Sequence, residues 1–278
     1  MTGFDTVTLL SDLGTADESV GVIHSIVRQA APHAAVIDLC HEIDPGDSRT
    51  AALMLVRSVP HLAPGVVLAS LGRRLDRPAI AVSVGGGQSI LVGPDSGVLA
   101  AATAAVGGAD MAIRIDVPGC GDPPSVLHPA RDVLAPAAGR LAAGEPIEAL
   151  GSPIESTLLL PSLVAVPRVE DDGSVTAEVL SVTRWGTVQL NVDRETLAPL
   201  GDLLVAEWTA IATGSHPAEA NAQSVQVAPA GAAGAVSLAL SDDPFGLLEL
   251  TVAGGSAAHL GFAAGTEIRL RPPHETVT

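Results

Sequence analysis

TVTLLSDLGTADESVGVIHSIV, residues 6–27, is the stretch whose reading decides the fold. TVTLLS (6–11) has the apolar and β-branched character of a strand, and ESVGVIHSIVRQAA (18–31) repeats its apolar residues at helical spacing. A strand that turns directly into a helix is half of a βαβ unit, and ligands of such sheets bind beyond the carboxyl ends of the strands. The turn SDLGTADES lies at that place, with Asp12, Asp17, Glu18 and Ser19 arranged around Gly14. Carboxylates repel phosphate, so the turn suits a ligand with hydroxyls and positive charge. Asp12 stands one residue past the strand and two before a glycine that permits a sharp bend; a carboxylate there can accept hydrogen bonds from a ribose diol. The competing reading is that Asp12, Asp17 or Ser19 caps the helix.

The alternation continues outward. AAVIDLC (34–40) is a strand, DSRTAALMLVRSVPHL (47–62) a helix, and GVVLASLG (65–72) a third strand. AIAVSV (79–84) and SILVGP (89–94) pair around GGGQ, and GVLAAATAAVG (97–107) is helical. The expected fold is an α/β N-terminal domain with a largely parallel sheet, residues 1–157. From about Leu158 the pattern becomes Pro-punctuated, and short strands separated by Gly, Pro, Asn and Asp follow. They predict a smaller all-β, barrel-like domain over residues 167–278, joined by a linker at 158–166. HPAEANAQSVQVAPAGAAGA (216–235) reads as a low-complexity loop on that domain.

Composition narrows the function. The chain has 278 residues, 47% of them apolar, and a mean hydropathy of +0.41, which is ample for a buried core. No apolar run reaches membrane-span length, and MTGFDTVTLL has no basic leader, so a cytoplasmic protein without membrane partners is expected. The formal net charge is −17 and the sequence contains no lysine. A P-loop, a Schiff-base lysine and a basic nucleic-acid face are thereby set aside. Cys40 and Cys120 lack CxxC or His spacing, so free thiols are expected, with no metal site and no cofactor. No GxSxG motif occurs.

Beyond these patterns, residues 8–55, VGPDSGVLAA (92–101), ARDVLAPAAGRLAAG (130–144) and LELTVAGGSAAHLGFAAGTEIRL (248–270) resemble the S-adenosyl-L-methionine (SAM) hydrolases, or SAM hydroxide adenosyltransferases, relatives of the fluorinase and chlorinase. The resemblance implies an α/β domain joined to a β-barrel domain, in a homotrimer with active sites between subunits. It implies displacement at the ribose methylene carbon of SAM by water or hydroxide, giving adenosine and methionine. Asp12 would then hold the ribose hydroxyls, and Asp17 and Ser19 the methionine end. The family activates water with an Asp and an Arg from a DPGVG-type loop after the third strand and a His from an HGRD-type segment. LASLGRRLDRPAIAV (68–82) is shorter and lacks the Asp; Arg77 is the match for the Arg, with Asp76 beside it. In VLHPARDVLAP (126–136), His128 lies one residue further from Arg131 than the family pattern has it.

In the C-terminal half, SVTRWGTVQLNV (181–192) stands where the family has a DxFGNxxTN-type segment. Thr183 replaces the acid, Trp185 the Phe and Thr187 the Asn expected against adenine. Trp185 can stack on a purine or fill a barrel core, and Thr187 keeps a donor and an acceptor. Paired glycines beside Ser256 can bring backbone N–H groups to a ligand, or simply turn a hairpin. Two alternatives stand beside hydrolysis: a family member that binds SAM or adenosine without turnover, and a halide adenosyltransferase. The second has Pro129 and Ala130 where halide-using relatives place a small hydroxyl residue.

Overall fold

The computed structural model describes residues 3–75, 77–116, 128–155, 159–161, 166–201, 204–209, 222–229, 238–242, 246–252 and 260–272. The chain divides into two compact units, Met1–Val164 and Ala165–Thr278.

The first unit is built on a seven-stranded sheet in the order β2-β1-β3-β5-β4-β6-β7. Its strands are β1 (Thr6–Ser11), β2 (Ala35–Cys40), β3 (Val66–Ser70), β4 (Ala79–Val84), β5 (Ser89–Pro94), β6 (Ala109–Ile115) and β7 (Gly151–Ile154). β2, β1, β3 and β5 are mutually parallel. β4 and β7 run against them, and β6 runs with them, so the sheet is mostly parallel. The β4–β5 hairpin turns through Gly85, Gly86 and Gly87, all with positive φ, which glycine adopts without steric cost.

Both faces of the central strands β1, β3, β4 and β5 are covered, which explains why these strands read as apolar runs. Val7, Leu9, Val66 and Leu68 pack beneath α1 (Ser19–Ala30) and α4 (Ala135–Ala142). The alternate residues Leu10, Val67 and Ala69 pack with Ala51, Ala52 and Leu55 of α2 (Ser48–Ser58) and with Ala102 of α3 (Ala100–Ala105). A π-helical turn, Ala130–Leu134, leads into α4. α2 ends earlier than its apolar pattern suggests. Pro60 sits in the first turn of a 3₁₀ segment, Val59–His61, that replaces the last helical turn.

The second unit is all-β: β8 (Arg168–Val169), β9 (Val175–Val182), β10 (Val188–Leu190), β11 (Leu204–Thr209), β12 (Ala222–Pro229), β13 (Leu238–Asp242), β14 (Leu248–Val252) and β15 (Glu267–Arg271). Its order is β10-β14-β13-β12-β11-β15-β9-β8, and β10 pairs with β9 as well. The pairings therefore run round in a circuit, as in a barrel. Val179, Leu190, Ala206, Leu250, Ile268 and Leu270 fill its core. One expectation is corrected here: residues 222–229, read as part of a low-complexity loop, form β12 between β11 and β13. The alternating AQSVQVAP supplies a strand pattern that the surrounding Ala, Gly and Pro conceal. Among the described residues, no helix is long and apolar enough to cross a membrane.

Candidate active site

Three loops meet at the carboxyl ends of β2, β1 and β3, and the carboxylate of Asp12 ties them together. Asp12 Oδ2 accepts the backbone N–H of Gly46, after β2, and that of Gly72, after β3, both at 2.8 Å. The Asp12 N–H donates to Ser70 O at 3.3 Å. Gly46 and Gly72 have φ of +79° and +77°, a region that side chains other than glycine's adopt only with strain. Among the described residues, Asp12 Oδ1 has no hydrogen-bond partner.

Asp12 is therefore not the cap of α1. The N-cap is Glu18, whose side chain makes no capping bond, while Asp17 Oδ1 accepts the Ser19 N–H at 2.9 Å. That backbone N–H first, and the Ser19 hydroxyl second, hold the Asp17 carboxyl below its ordinary range.

Above these loops opens a cleft of about 770 Å³. Asp12, Asp17, Ser19 and His128 all line it, so four residues singled out in the sequence come together. Gly46 and Gly72 form part of its wall, Val22 and Ile23 of α1 give it an apolar side, and Arg73 and Arg131 add cationic groups. Arg131 is held by Asp132, with Nε to Oδ1 at 2.6 Å and Nη2 to Oδ2 at 3.0 Å. This pairing holds the Asp132 carboxyl below its ordinary range. Arg73 is exposed.

Arg77 stands elsewhere. It lines a separate cavity of about 120 Å³ with Arg74, Ser48 and Ser96. Gly46 and Gly72 line both cavities, because their tie to Asp12 draws the two loops into a shared wall. The structure thus does not bring Arg77 and His128 into one cavity, and the arginine that shares the cleft with His128 after β3 is Arg73. Counting back from PAIAV finds Arg77 but not the path of the loop.

In the second unit, Trp185 and Thr187 lie in the β9–β10 hairpin. Gly186 N–H donates to Thr183 O at 2.9 Å, and Gly186 has φ +79°. The Thr187 and Thr183 hydroxyls meet at 2.7 Å. Trp185 is 83% exposed, which excludes the barrel core as its place within the chain. Ser256, Asp76 and Cys120 lie outside the described residues. Among the described residues, no group of three His, Cys, Asp or Glu side chains is placed to hold a metal ion.

The family model for the SAM hydroxide adenosyltransferase N-terminal domain matches residues 7–151. The (R)-S-adenosyl-L-methionine hydrolase of Salinispora arenicola is 34% identical over 266 residues, spanning 95% of this chain and 97% of its own. The enzyme of the same name from Thermus thermophilus is 31% identical over 280 residues, 95% of this chain and 98% of its own. The crystal structure of an uncharacterized conserved protein from Thermotoga maritima is similar with a TM-score of 0.79 at 26% identity, covering 95% of this chain and 99% of that one. A likeness that runs nearly end to end in sequence, together with a matching family domain across the loops tied by Asp12, places this chain in the SAM hydroxide adenosyltransferase family.

Proposed function

We propose that this chain hydrolyses SAM to adenosine and L-methionine. The observation that carries the reading is the Asp12 carboxylate on the wall of a large cleft, with one oxygen fixed by two backbone N–H groups at the carboxyl ends of the strands and the other without a hydrogen-bond partner among the described residues. That oxygen accepts from the ribose hydroxyls. Asp17 and Ser19 take the methionine end, where the ammonium group meets a carboxylate. SAM carries a sulfonium and an ammonium, and a cleft bearing Asp12, Asp17 and Glu18 on a chain of net charge −17 attracts it. Water attacks the ribose methylene carbon, the carbon–sulfur bond breaks with its electron pair on sulfur, and the water proton leaves to solvent. Methionine departs as a neutral thioether, so the protein's task is mainly to align oxygen, carbon and sulfur. His128 orients the water, and Arg73, from the loop after β3, stands on the wall of the same cleft.

The reading requires no cofactor. It extends to a cytoplasmic homotrimer with sites between subunits, in which Trp185 stacks on the adenine and Thr187 and Ser256 donate to it. The exposure of Trp185 supports this extension, because an indole left in water is a surface that a ligand or second subunit can cover. Incubation of the purified protein with SAM tests the reaction: equimolar adenosine and methionine are expected. No adenosine above the non-enzymatic background, with the Salinispora relative active alongside, overturns it.

A second reading rests on the separation of Arg77 and His128 into different cavities. If water activation needs both side chains, the chain binds SAM or adenosine without turnover, and calorimetry then registers binding with no product formed.

A further inference from the structure

Beneath the Asp12 turn lies a buried histidine to which the proposed reaction gives no task. His41 is 6% exposed, and its Nδ1 lies 2.8 Å from Oγ of the fully buried Ser11. Its Nε2 lies 3.0 Å from Asp38 Oδ1, close in distance but poorly aligned for a hydrogen bond. The same oxygen meets His24 Nε2 at 2.7 Å. The His41 backbone carbonyl accepts the Gly14 N–H at 2.8 Å. A carboxylate can only accept, so in the neutral ring the proton sits on Nε2, facing Asp38, and Nδ1 accepts from the Ser11 hydroxyl. Ser11 Oγ in turn receives the Leu13 N–H at 3.4 Å. With no exposure to solvent, Ser11 is no nucleophile, and the Ser–His–Asp chain serves another end.

We propose that His41 is a positioning residue for Asp12: its ring holds Ser11 on one side of the carboxylate and its carbonyl holds Gly14 on the other. The turn is thereby fixed at both flanks from below, independently of the ties that Asp12 makes to Gly46 and Gly72. The proposal rests on the reading of Asp12 as the ribose ligand and adds what sets its place. Substitution can separate the two ring nitrogens. An Asn amide reaches the position of Nδ1 and keeps the link to Ser11, whereas a Gln amide reaches that of Nε2 and keeps only the contact with Asp38.

The test uses the full chain with His41→Ala, His41→Gln and His41→Asn, titrated with adenosine by calorimetry and assayed with SAM. His41→Ala and His41→Gln are expected to weaken adenosine about tenfold and to raise KM for SAM by a similar factor, a loss typical of one misplaced charged hydrogen bond. kcat should change far less than KM. His41→Asn should recover most of the loss, and Asn and Gln variants should melt together. Equal affinities in the Asn and Gln variants, or losses that simply follow the melting temperature, overturn the proposal. If the wild type binds adenosine without turning over SAM, the hydrolase reading falls while the Asn–Gln comparison still decides the role of His41. A wild type that binds neither ligand overturns both.

Discussion

The Asp12 carboxylate and the backbone N–H of Gly72, 60 residues apart in sequence, are joined by a hydrogen bond of 2.8 Å. Its partner bond to Gly46 has the same length and uses the same oxygen. One side chain on the cleft wall therefore closes three loops with one oxygen and keeps the other for a ligand.

Those two tasks are separable by substitution. Asp12→Asn keeps a carbonyl oxygen for Gly46 and Gly72 but turns an NH2 donor toward the ribose. Hydrogen bonds to charged groups contribute about 1.5–3 kcal/mol, so adenosine affinity should fall at least tenfold with little change in melting temperature. Asp12→Ala loses the loop ties as well and should also lower the melting temperature. Calorimetric titration and thermal melting check both; an Asp12→Asn protein that binds adenosine as tightly as the wild type removes Asp12 from the ligand.

Arg73 and Arg77 can be compared directly, because only Arg73 lines the large cleft. Arg73→Ala should reduce kcat/KM for SAM more than Arg77→Ala does. Steady-state assay of the two variants decides, and loss of turnover confined to Arg77→Ala would mean that the loop after β3 rearranges when substrate binds.

The packing of α1 on α4 depends on Gly139. A Cβ there would lie 2.8 Å from Ala30 Cβ and 3.3 Å from Val27 Cα. Overfilling a tight contact costs about 1–3 kcal/mol, so Gly139→Ala should lower the melting temperature, and Gly139→Val should lower it further. Since α1 begins at Ser19, ligand affinity should weaken with it.

One part of the response to acid follows from Asp193, the N-cap of a short helix, Arg194–Leu197, in the second unit. The backbone N–H of Thr196 first, and the Thr196 hydroxyl second, hold its carboxyl below the ordinary range. A depressed carboxyl contributes stability above its unfolded pKa of about 3.9, and that contribution is lost as pH falls through the lower folded value. Asp193→Asn remains a good helix cap, so stability at pH 7 should change little while part of the decline below about pH 4 disappears. Melting curves across that range measure the difference.

The sequence reveals elements wherever one pattern dominates. β1, β3 and the β4–β5 hairpin are legible because strands covered on both faces must be apolar throughout, and the edge strand β2 is legible from its run of apolar residues around Asp38. β7 is not, since GSPI carries Pro153, which this edge strand tolerates and a central strand would not. β12 is hidden by the Ala, Gly and Pro that surround its alternating pattern. In the site, Asp12, Asp17, Ser19 and His128 are recognisable as side chains, and the structure gathers them in one cleft. The donors that fix Asp12 are backbone N–H groups, which leave no trace in residue type beyond a glycine. The same tie sets the path of the loop after β3, which is why Arg73 rather than Arg77 faces the cleft.

The bond from Gly72 to Asp12 also divides the β3–β4 connection for anyone who would rebuild it. Up to Gly72 the backbone is committed, because a residue inserted there would shift the N–H away from the carboxylate. Past Gly72, between Arg73 and Pro78, no described backbone group is tied to Asp12. A graft that lengthens the connection and supplies an acid near His128 belongs after Gly72, where it can be added without loosening the three-loop junction.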